Sequence, residues 1–236
     1  MKWNKKFIYP PSTRSLVMGQ RHYEIGTDKL PSVTTILSRT QSDEKKASLA
    51  RWKQKVGENE ADRIRDQAAE RGTIMHRILE GYLTGHRHAD LSDLGRQAGV
   101  MARNIWESDL KEGMDEVWGT EVTVHYPGLY AGQTDLVGIY NGAEIIGDFK
   151  QTNKPKRKEW IDDYFIQLAA YAMAHNYVYN TSIQSGVILM CSVDNIFQRF
   201  FVGPEEFKKY TFEWLRKIDK YYSGHSSHGG VGPKND

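Results

Sequence analysis

Residues 132–150 read GQTDLVGIYNGAEIIGDFK, with Asn141-Gly142 between two apolar-rich runs. An Asn-Gly pair in such a setting predicts a β-hairpin with a two-residue loop. Counting outward from that loop places Asp135 opposite Asp148. Directly opposed side chains lie about 4.5–5.5 Å apart at Cβ. The stretch therefore predicts two carboxylates held close together on one face of a sheet.

The charges of this hairpin predict a cation site. Strand alternation places Lys150 on the same face as Asp148. Two directly opposed carboxylates repel each other unless a partner neutralises them, and a divalent cation with oxygen ligands is such a partner. A surface hairpin with ordinary solvated charges is the alternative, but the runs around Asp135 and Asp148 are apolar. We therefore expect a hydrolytic site in which Lys150 lies beside the two acids.

Composition limits the class of protein. The chain has 236 residues and a net charge of +2, so one compact domain is expected and any anion binding must come from local clustering. Cys191 is the single cysteine, which excludes an internal disulfide and suits a reducing compartment. No apolar run approaches the length of a membrane span, and the N-terminus lacks the apolar stretch of a secretory signal. We expect a cytoplasmic protein.

The predicted elements change in kind along the chain. Helices are predicted at 30–38, 43–55, 58–70, 72–83 and 91–112. Strands follow at 116–126, 130–140 and 143–151, then a helix at 160–178, strands at 184–192 and 196–202, and a helix at 204–222. This order predicts a mixed α/β fold, in which a central mixed sheet is flanked by helices and carries an N-terminal helical elaboration.

We expect a single domain over residues 1–222, with a helical part at about 30–112 and a sheet core at about 113–222. Residues 1–29 are predicted to be loop with one short hairpin around 18–21. Residues 223–236 contain no core-forming side chains, so a disordered tail is predicted there.

A basic cluster follows the hairpin. Lys154, Lys156 and Arg157 surround Pro155. A solvated loop is the ordinary explanation for such a cluster, but beside paired carboxylates it favours contact with a phosphate backbone. Contacts of that kind need charge rather than base-reading geometry. We therefore expect these three residues to bind nucleic acid.

Two helices add polar pairs at i and i+4 spacing. Gln167 and Tyr171 share a helix face, and we expect them to hold the lysine, a water or a phosphate; a polar pair at a helix boundary is the alternative. His76 and Glu80 also share a face, although a lone histidine on such a helix is usually structural. Glu121, on the strand before the hairpin, is a weaker additional acid candidate.

Taken in order, these residues resemble the PD-(D/E)xK nuclease superfamily in its RecB-like branch. The motifs are a helical histidine, G-x-x-D, D-x-K and Q-x-x-x-Y, which stand here as His76, Gly132–Asp135, Asp148–Lys150 and Gln167–Tyr171. Thr134 stands where many members have proline. Each motif is weak alone, whereas the ordered set is specific. The resemblance implies a restriction-endonuclease-like core.

A more detailed similarity, over about residues 30–220, is to the mitochondrial genome maintenance exonuclease family and its phage and bacterial relatives. The shared motifs are LPSVT at 30–34, RWKQ at 51–54, Gly72 with His76 and Glu80, DFKQT at 148–152 with KPK at 154–156, and Gln167 with Ala170-Tyr171. The chain lacks the long N-terminal extension and targeting peptide of the mitochondrial members. We therefore expect a phage or bacterial version, acting in the host cytoplasm if a phage encodes it.

The resemblance implies a metal-dependent exonuclease that hydrolyses single-stranded DNA from a free end, in replication, recombination or repair. It implies that Mg²⁺ or Mn²⁺ is held by His76, Asp135, Asp148 and the backbone carbonyl of Phe149. Lys150 would orient or help deprotonate the attacking water, and Gln167 would position Lys150 or the substrate.

The N-terminal helices are expected to cover the site and restrict it to a threaded single strand. The candidates for contact with that strand are Trp52, Lys53 and Arg71, with Tyr171 from the later helix. Stacking on Trp52 would bind any base; a core anchor is the alternative for this residue. We expect a monomer whose partner is single-stranded DNA, together with replication or recombination proteins.

Two other functions remain open at this point. The fold also serves in nucleic-acid-binding modules that have no catalytic activity. Such a module would be recognised by the loss of one of the acids or of the lysine, and this chain keeps all of them. An endonuclease or a duplex-end exonuclease of the same superfamily is the second alternative. An arch over the site favours the single-strand exonuclease, and an open cleft favours the duplex enzyme.

Overall fold

The predicted hairpin is present in the predicted register. In the computed structural model, which describes residues 1–226, its strands pair as predicted over five residue pairs, beginning with Tyr140 and Ala143. The loop residues Asn141 and Gly142 have φ of 46° and 78°. Positive values at both positions are what a two-residue type I′ turn requires.

The strands and helices follow the predicted order after residue 113. In chain order, the strands are β1 (Lys2–Trp3), β2 (Thr13–Val17), β3 (Gln20–Ile25), β4 (Asp28–Pro31), β5 (Met114–Tyr126), β6 (Tyr130–Tyr140), β7 (Ala143–Thr152), β8 (Ser185–Ser192) and β9 (Phe197–Val202). The helices are α1 (Val33–Arg39), α2 (Asp43–Val56), α3 (Glu58–Thr84), α4 (Asp93–Ile105), α5 (Lys111–Gly113), α6 (Asp162–Tyr179) and α7 (Pro204–Ser226).

The central sheet has six strands in the order β1-β5-β6-β7-β8-β9. The pairs β5–β6, β6–β7 and β8–β9 are antiparallel, whereas β1–β5 and β7–β8 are parallel. Helix α6 makes the crossover between the parallel strands β7 and β8, as such a connection requires. The predicted mixed α/β class, with a mixed central sheet and N-terminal helices, is confirmed.

Helices cover both faces of this sheet. One hydrophobic core joins the sheet to α1, α6 and α7, and the other joins it to α3 and α4. Along β7 the side chains alternate between the two cores: Ile146 packs in the first and Phe149 in the second. Because alternate residues share a face, Asp148 and Lys150 project on the side covered by α6.

The N-terminal helices differ from the prediction in two places. α3 is one helix of 27 residues, although a break was predicted between 70 and 72. An interior glycine such as Gly72 costs a helix only about 1 kcal/mol. The Gln151 side chain bonds to this turn on both sides of its amide: Nε2 donates to the Ala68 carbonyl at 2.9 Å, and Oε1 accepts from Arg71 Nε at 2.8 Å. α1 begins at Val33, because Ser32 caps it by accepting from Thr35 N–H at 3.0 Å.

Residues 13–31 form a second sheet of three antiparallel strands, β2-β3-β4, where loop and a single hairpin were predicted. The predicted hairpin is present between β2 and β3, and the third strand was missed. α7 continues to Ser226, so the first four residues of the predicted tail are helical. The rest of that tail, residues 227–236, lies outside the described residues. Among residues 1–226, no helix has the length and apolar character needed to span a membrane.

Candidate active site

Asp135 and Asp148 lie where the hairpin ladder ends. The last backbone pair is Leu136 with Gly147, and beyond it the Asp135 carboxylate replaces a backbone acceptor: Phe149 N–H donates to Asp135 Oδ2 at 2.7 Å. Both carboxylates are buried, with 7% and 3% of their residues' surface exposed. Burial raises the pKa of each. Their negative charges are therefore costly in this position without a positive partner.

A third carboxylate joins them from the neighbouring strand. In the β5–β6 register, Thr120 pairs with Leu136 and Val122 with Thr134, so Glu121 lies across from Asp135 between these pairs. Gln133 Nε2 donates to Glu121 Oε2 at 2.8 Å. Glu121 has a φ of 53°, which is strained for a residue with a Cβ. The weaker acid candidate is thus part of the cluster. The loop at Gly128 fixes this second register, so the counting used for the first hairpin finds Glu121 as well.

His76 of α3 completes a cluster of three donors. Its Nδ1 lies 3.4 Å from Glu121 Oε1 and 3.5 Å from Asp135 Oδ1. Its Nε2 donates to the Phe149 carbonyl at 2.8 Å, which leaves Nδ1 facing the acids. Burial by itself lowers the pKa of His76, but the charges of Asp135 and Glu121 outweigh burial and raise it to about 9. A positive charge is therefore favoured between these groups.

A carboxylate and an aromatic ring hold Lys150. Its Nζ forms a direct ion pair with Asp148 Oδ2 and lies 4.9 Å from the ring centre of Tyr164. Burial alone lowers the pKa of Lys150, but Asp148 and Asp135 outweigh burial, so the pKa lies above its ordinary value. Burial raises the pKa of Asp148 to about 6, against the opposing effect of Lys150. Lys150 is therefore an ammonium group at neutral pH.

Gln167 and Tyr171 of α6 are joined to each other. Gln167 Nε2 donates to the Tyr171 hydroxyl at 2.8 Å, and both residues are buried. A Cβ at Gly132 would lie 2.4 Å from Tyr171 Cε1, so the glycine of the G-x-x-D motif makes room for the tyrosine of the Q-x-x-x-Y motif. Gln167 was predicted to position Lys150 or the substrate; its amide instead holds the tyrosine ring. Any role toward Lys150 stays a prediction.

We expect Gly132→Ala to destabilise the protein by about 2 kcal/mol, because overpacking of this kind usually costs 1–3 kcal/mol. The added Cβ would force the Tyr171 ring to shift, while Gln167 Nε2 holds the hydroxyl of that ring. Gly99→Ala in α4 is the matched control. Its Cβ would meet only Ile78 Cδ1 at 3.9 Å, and alanine favours a helix. Urea unfolding measures both variants. Equal midpoints for Gly132→Ala and the unchanged protein would contradict the packing argument.

One cavity of about 540 Å³ contains this chemistry. The predicted residues that line it are His76, Asp135, Asp148, Lys150, Gln167 and Tyr171. Glu121 and Glu80 also line it, and the small N-terminal sheet contributes Arg14, Arg21 and Tyr23. Sequence reasoning missed these last three, because no local pattern says that β2–β4 pack beside the acids.

Arg71 does not fit its predicted role in nucleic-acid binding. Its residue surface is 4% exposed, and its guanidinium donates to Gln151 at 2.8 Å, Gln97 at 3.2 Å and Asn153 at 2.6 Å. A buried guanidinium with these amide partners ties α3 and α4 to the end of β7. Burial therefore counts against contact between Arg71 and nucleic acid, which stays a prediction; sequence alone does not separate a buried arginine from an exposed one.

Of the other predicted nucleic-acid contacts, Tyr171 lines the cavity, and the remaining five lie outside it. Lys154 and Arg157 are exposed, Lys156 and Lys53 are half-buried, and Trp52 lines a separate surface pocket that includes Trp160 and Tyr164. Trp52 is 37% exposed, so it is not a fully buried core anchor. Because Tyr164 also contacts Lys150, this pocket adjoins the lysine of the site. The binding roles of these residues stay predictions.

The donor set fits a divalent cation. One donor atom each from His76, Glu121 and Asp135 lie within 4.8 Å of one another, and carboxylate oxygens with an imidazole nitrogen are ligands for Mg²⁺, Mn²⁺ and related ions. Asp148 lies outside this trio, held by Lys150, and the Phe149 carbonyl accepts from His76. The structure thus brings together His76 and Asp135 of the predicted ligand set and adds Glu121.

Comparison with known proteins gives sequence relatives at low identity. No family model matches the sequence. The chain is 27% identical over 208 residues to mitochondrial genome maintenance exonuclease 1 of Mus musculus, which covers 82% of this chain and 59% of the relative. For the Homo sapiens protein of the same name the identity is 27% over 205 residues, with 81% and 58% covered. The chain thus spans about three fifths of the length of these curated relatives.

A structural neighbour of lower similarity comes from Eubacterium rectale and is described, provisionally, as an exonuclease. It superposes with a TM-score of 0.49 and 16% identity, covering 72% of this chain and 77% of that chain. The family similarity predicted from the motifs is confirmed by the sequence relatives: the chain is a distant homologue of mitochondrial genome maintenance exonuclease 1.

Proposed function

We propose that the chain is a metal-dependent exonuclease that hydrolyses phosphodiester bonds of single-stranded DNA from a free end. The observation that carries the proposal is the meeting of His76, Glu121 and Asp135 with the buried Asp148–Lys150 ion pair in one cavity. The distant relatives named as exonucleases support the same reaction class. Their name places them in genome maintenance, and we extend that to DNA replication, recombination or repair here.

The residues of the cavity have different proposed roles in hydrolysis. His76, Glu121 and Asp135 would hold Mg²⁺ or Mn²⁺, with Asp148 beside them. A cation bound there supplies Lewis acidity, which makes water more acidic and offsets phosphate charge. Lys150 carries a proton at neutral pH, because its pKa is raised. It therefore acts as a hydrogen-bond donor toward the attacking water or the developing phosphate charge, rather than as the base.

The remaining polar groups of the cavity position Lys150 and the substrate. Asp148 and the Tyr164 ring fix the Lys150 ammonium, so little reorganisation is needed as charge develops. The Gln167–Tyr171 pair forms the wall on the α6 side, where the Tyr171 hydroxyl is already ordered by the amide. Groups held in this way contribute to catalysis by orienting the reacting atoms, which lowers the activation barrier of hydrolysis.

The proposal for a single strand rests on the walls of the cavity. Residues of α3, of the central sheet, of α6 and of the small sheet β2–β4 all line it. A volume of about 540 Å³ lies in the range of small-ligand pockets, which suits one or two nucleotides of a flexible strand better than a duplex. Exposed aromatic faces at Trp52 and Trp160 offer stacking that does not depend on base identity.

The test compares end-labelled linear single strands, blunt duplexes and circular single strands, each incubated with the protein in Mg²⁺ or Mn²⁺. We expect the linear strand to be degraded while the circle and the duplex survive, because the proposed site needs a free, unpaired end. Cutting of the circle would make the protein an endonuclease. Degradation of the duplex from its ends would make it a duplex-end exonuclease, and binding without cleavage in either metal would leave a non-catalytic module.

A further inference from the structure

The small sheet places two arginines at the rim of the acidic cavity. Arg14 of β2 and Arg21 of β3 both line the cavity that contains Asp135 and Lys150. Arg14 pairs with Tyr23. Two residues further along β2, Leu16 pairs with Arg21, which is two residues before Tyr23 in β3. Paired residues and residues two apart share a face, so both arginines project from one face of this sheet. Diagonal neighbours of this kind lie about 7–8 Å apart.

These two cations are close together without an acid to balance them. Within residues 1–226, no carboxylate lies within 4.0 Å of either guanidinium, which is also true of Arg77 in the same cavity. Arg65 has two such partners, and Arg63, Arg96, Arg199 and Arg216 have one each. The two guanidiniums are diagonal neighbours on adjacent strands, so their positive charges add on one side of the cavity. The arrangement is relieved when an anion binds between them, and guanidinium groups match phosphate geometry through paired N–H donors.

The backbone of Arg21 is fixed in place by the LPSVT motif and by Thr35, the residue that follows it. The Arg21 carbonyl accepts from Ser32 N–H at 3.0 Å and from the Thr35 hydroxyl at 2.9 Å. Ser32 in turn forms a bridge to Ala131, the residue before Gly132 in β6. The motif therefore ties the arginine-bearing sheet to the strand that carries Asp135, and the position of Arg21 relative to the acids is built into the fold.

Each of the two arginines has a further contact: Arg14 with an aromatic ring, and Arg21 with a second cavity. Arg14 lies over the ring of buried Tyr23, 5.8 Å from its centre, which limits the directions in which it can point. Arg21 also lines a second, shallow cavity next to the first, together with Thr34, Ser38 and Arg39. The basic rim therefore continues beyond the acidic cavity along α1.

We infer that Arg14 and Arg21 form a second phosphate-binding subsite, which holds the backbone of the nucleic-acid strand next to the bond that is cut. This inference rests on the proposed function and adds to it the residues that hold the neighbouring phosphates. The acids and the proposed cation engage the scissile phosphate, and the arginines engage the adjacent ones. The subsite recognises backbone charge, so it acts equally on all base sequences.

The test measures binding of a fluorescent dT decamer in chelator, where no metal-dependent cleavage occurs, for the full chain and for Arg14→Gln, Arg21→Gln and the double variant. We expect each single substitution to weaken binding about tenfold, the lower range for a hydrogen bond to a charged group. Each phosphate contact with a single strand contributes about 0.7 to the slope of log affinity against log salt. The double variant should therefore lose about 1.4 from that slope.

Arg103→Gln is the matched control, since Arg103 is an exposed arginine of α4 that lines neither cavity. It should keep the affinity and slope of the unchanged protein. With metal present, Arg21→Gln should raise KM and leave kcat within about threefold, because a contact with a phosphate that does not react is made equally before and during the reaction. All variants should unfold at the same temperature as the unchanged chain.

The outcomes separate this inference from the proposed function. Unchanged affinity and slope in the double variant, with DNA still cleaved, would overturn the subsite and leave the exonuclease intact. Equal losses in Arg103→Gln would also overturn it, because the effect would then be one of net charge. A lowered unfolding temperature in Arg21→Gln that accounts for the loss of binding would assign the residue to the fold instead. Failure of the unchanged chain to bind or cleave DNA would overturn both.

Discussion

Replacing Lys150 with alanine is expected to slow cleavage of single-stranded DNA by about 10²–10³-fold in kcat, the usual effect of removing one preorganised donor to developing charge. The ammonium is held by Asp148 and by the Tyr164 ring, so its loss removes a group that is already in position. Initial rates at saturating end-labelled DNA in Mn²⁺ measure the change.

Lys154→Ala is the matched control for this substitution. Lys154 is an exposed lysine four residues along the chain that does not line the cavity, so its loss should raise KM and leave kcat near that of the unchanged protein.

Lys150→Ala leaves Asp148 without its cation, and the pKa of Asp148 should then rise further above about 6. Lys150→Gln returns a donor to Asp148 and replaces the alanine variant if that variant unfolds. A Lys150 variant that is folded and retains a tenth or more of the rate would contradict the proposed role.

Asp135→Asn is expected to abolish metal binding and to lower the rate by about 10³-fold or more, because metal catalysis supplies several kcal/mol of transition-state stabilisation. The substitution is conservative for the fold. An asparagine carbonyl can still accept from Phe149 N–H, as Asp135 Oδ2 does at 2.7 Å. The atom that changes is the one facing His76 Nδ1, where a carboxylate oxygen becomes an amide nitrogen and no longer offers a lone pair.

Glu80→Gln is the control for metal binding. Glu80 lines the same cavity and lies one turn from His76 on α3, but it is not part of the donor trio. Calorimetric titration with Mn²⁺ should give the unchanged affinity for Glu80→Gln and no measurable binding for Asp135→Asn. Equal weakening in the two variants would mean that the cation is attracted by general negative charge rather than held by the trio.

The sheet core and its acids were predictable because they depend on local signals. Asn141-Gly142 fixes one register and Gly128 the next, and together these two loops place Glu121, Asp135 and Asp148 on adjacent strands. The period-2 alternation of β7 then assigns Lys150 to the same face as Asp148. Counting residues from the loops works here because few registers allow a strand both to pair with its neighbour and to keep its apolar side chains on the buried face.

The N-terminal part was predicted less well, because its structure depends on distant contacts. Gly72 resembles a helix end in sequence, yet it lies inside α3 against Gln151 of β7. Arg71 resembles a surface cation and is buried among three amides, from α4 and from the end of β7. Arg21 has no local signal at all: its place beside the acids depends on hydrogen bonds from Ser32 and Thr35 that only the folded chain provides.

Metal dependence of cleavage is the most direct test of the proposal that these acids form a hydrolytic site. The protein is stripped with chelator, incubated with end-labelled linear single-stranded DNA, and then supplied with Mg²⁺ or Mn²⁺, alongside Asp135→Asn. We predict no product in chelator, rapid release of labelled product when either ion is added, and none from the variant. Cleavage that persists in chelator, or that the variant performs equally well, would contradict a metal-dependent site at Asp135.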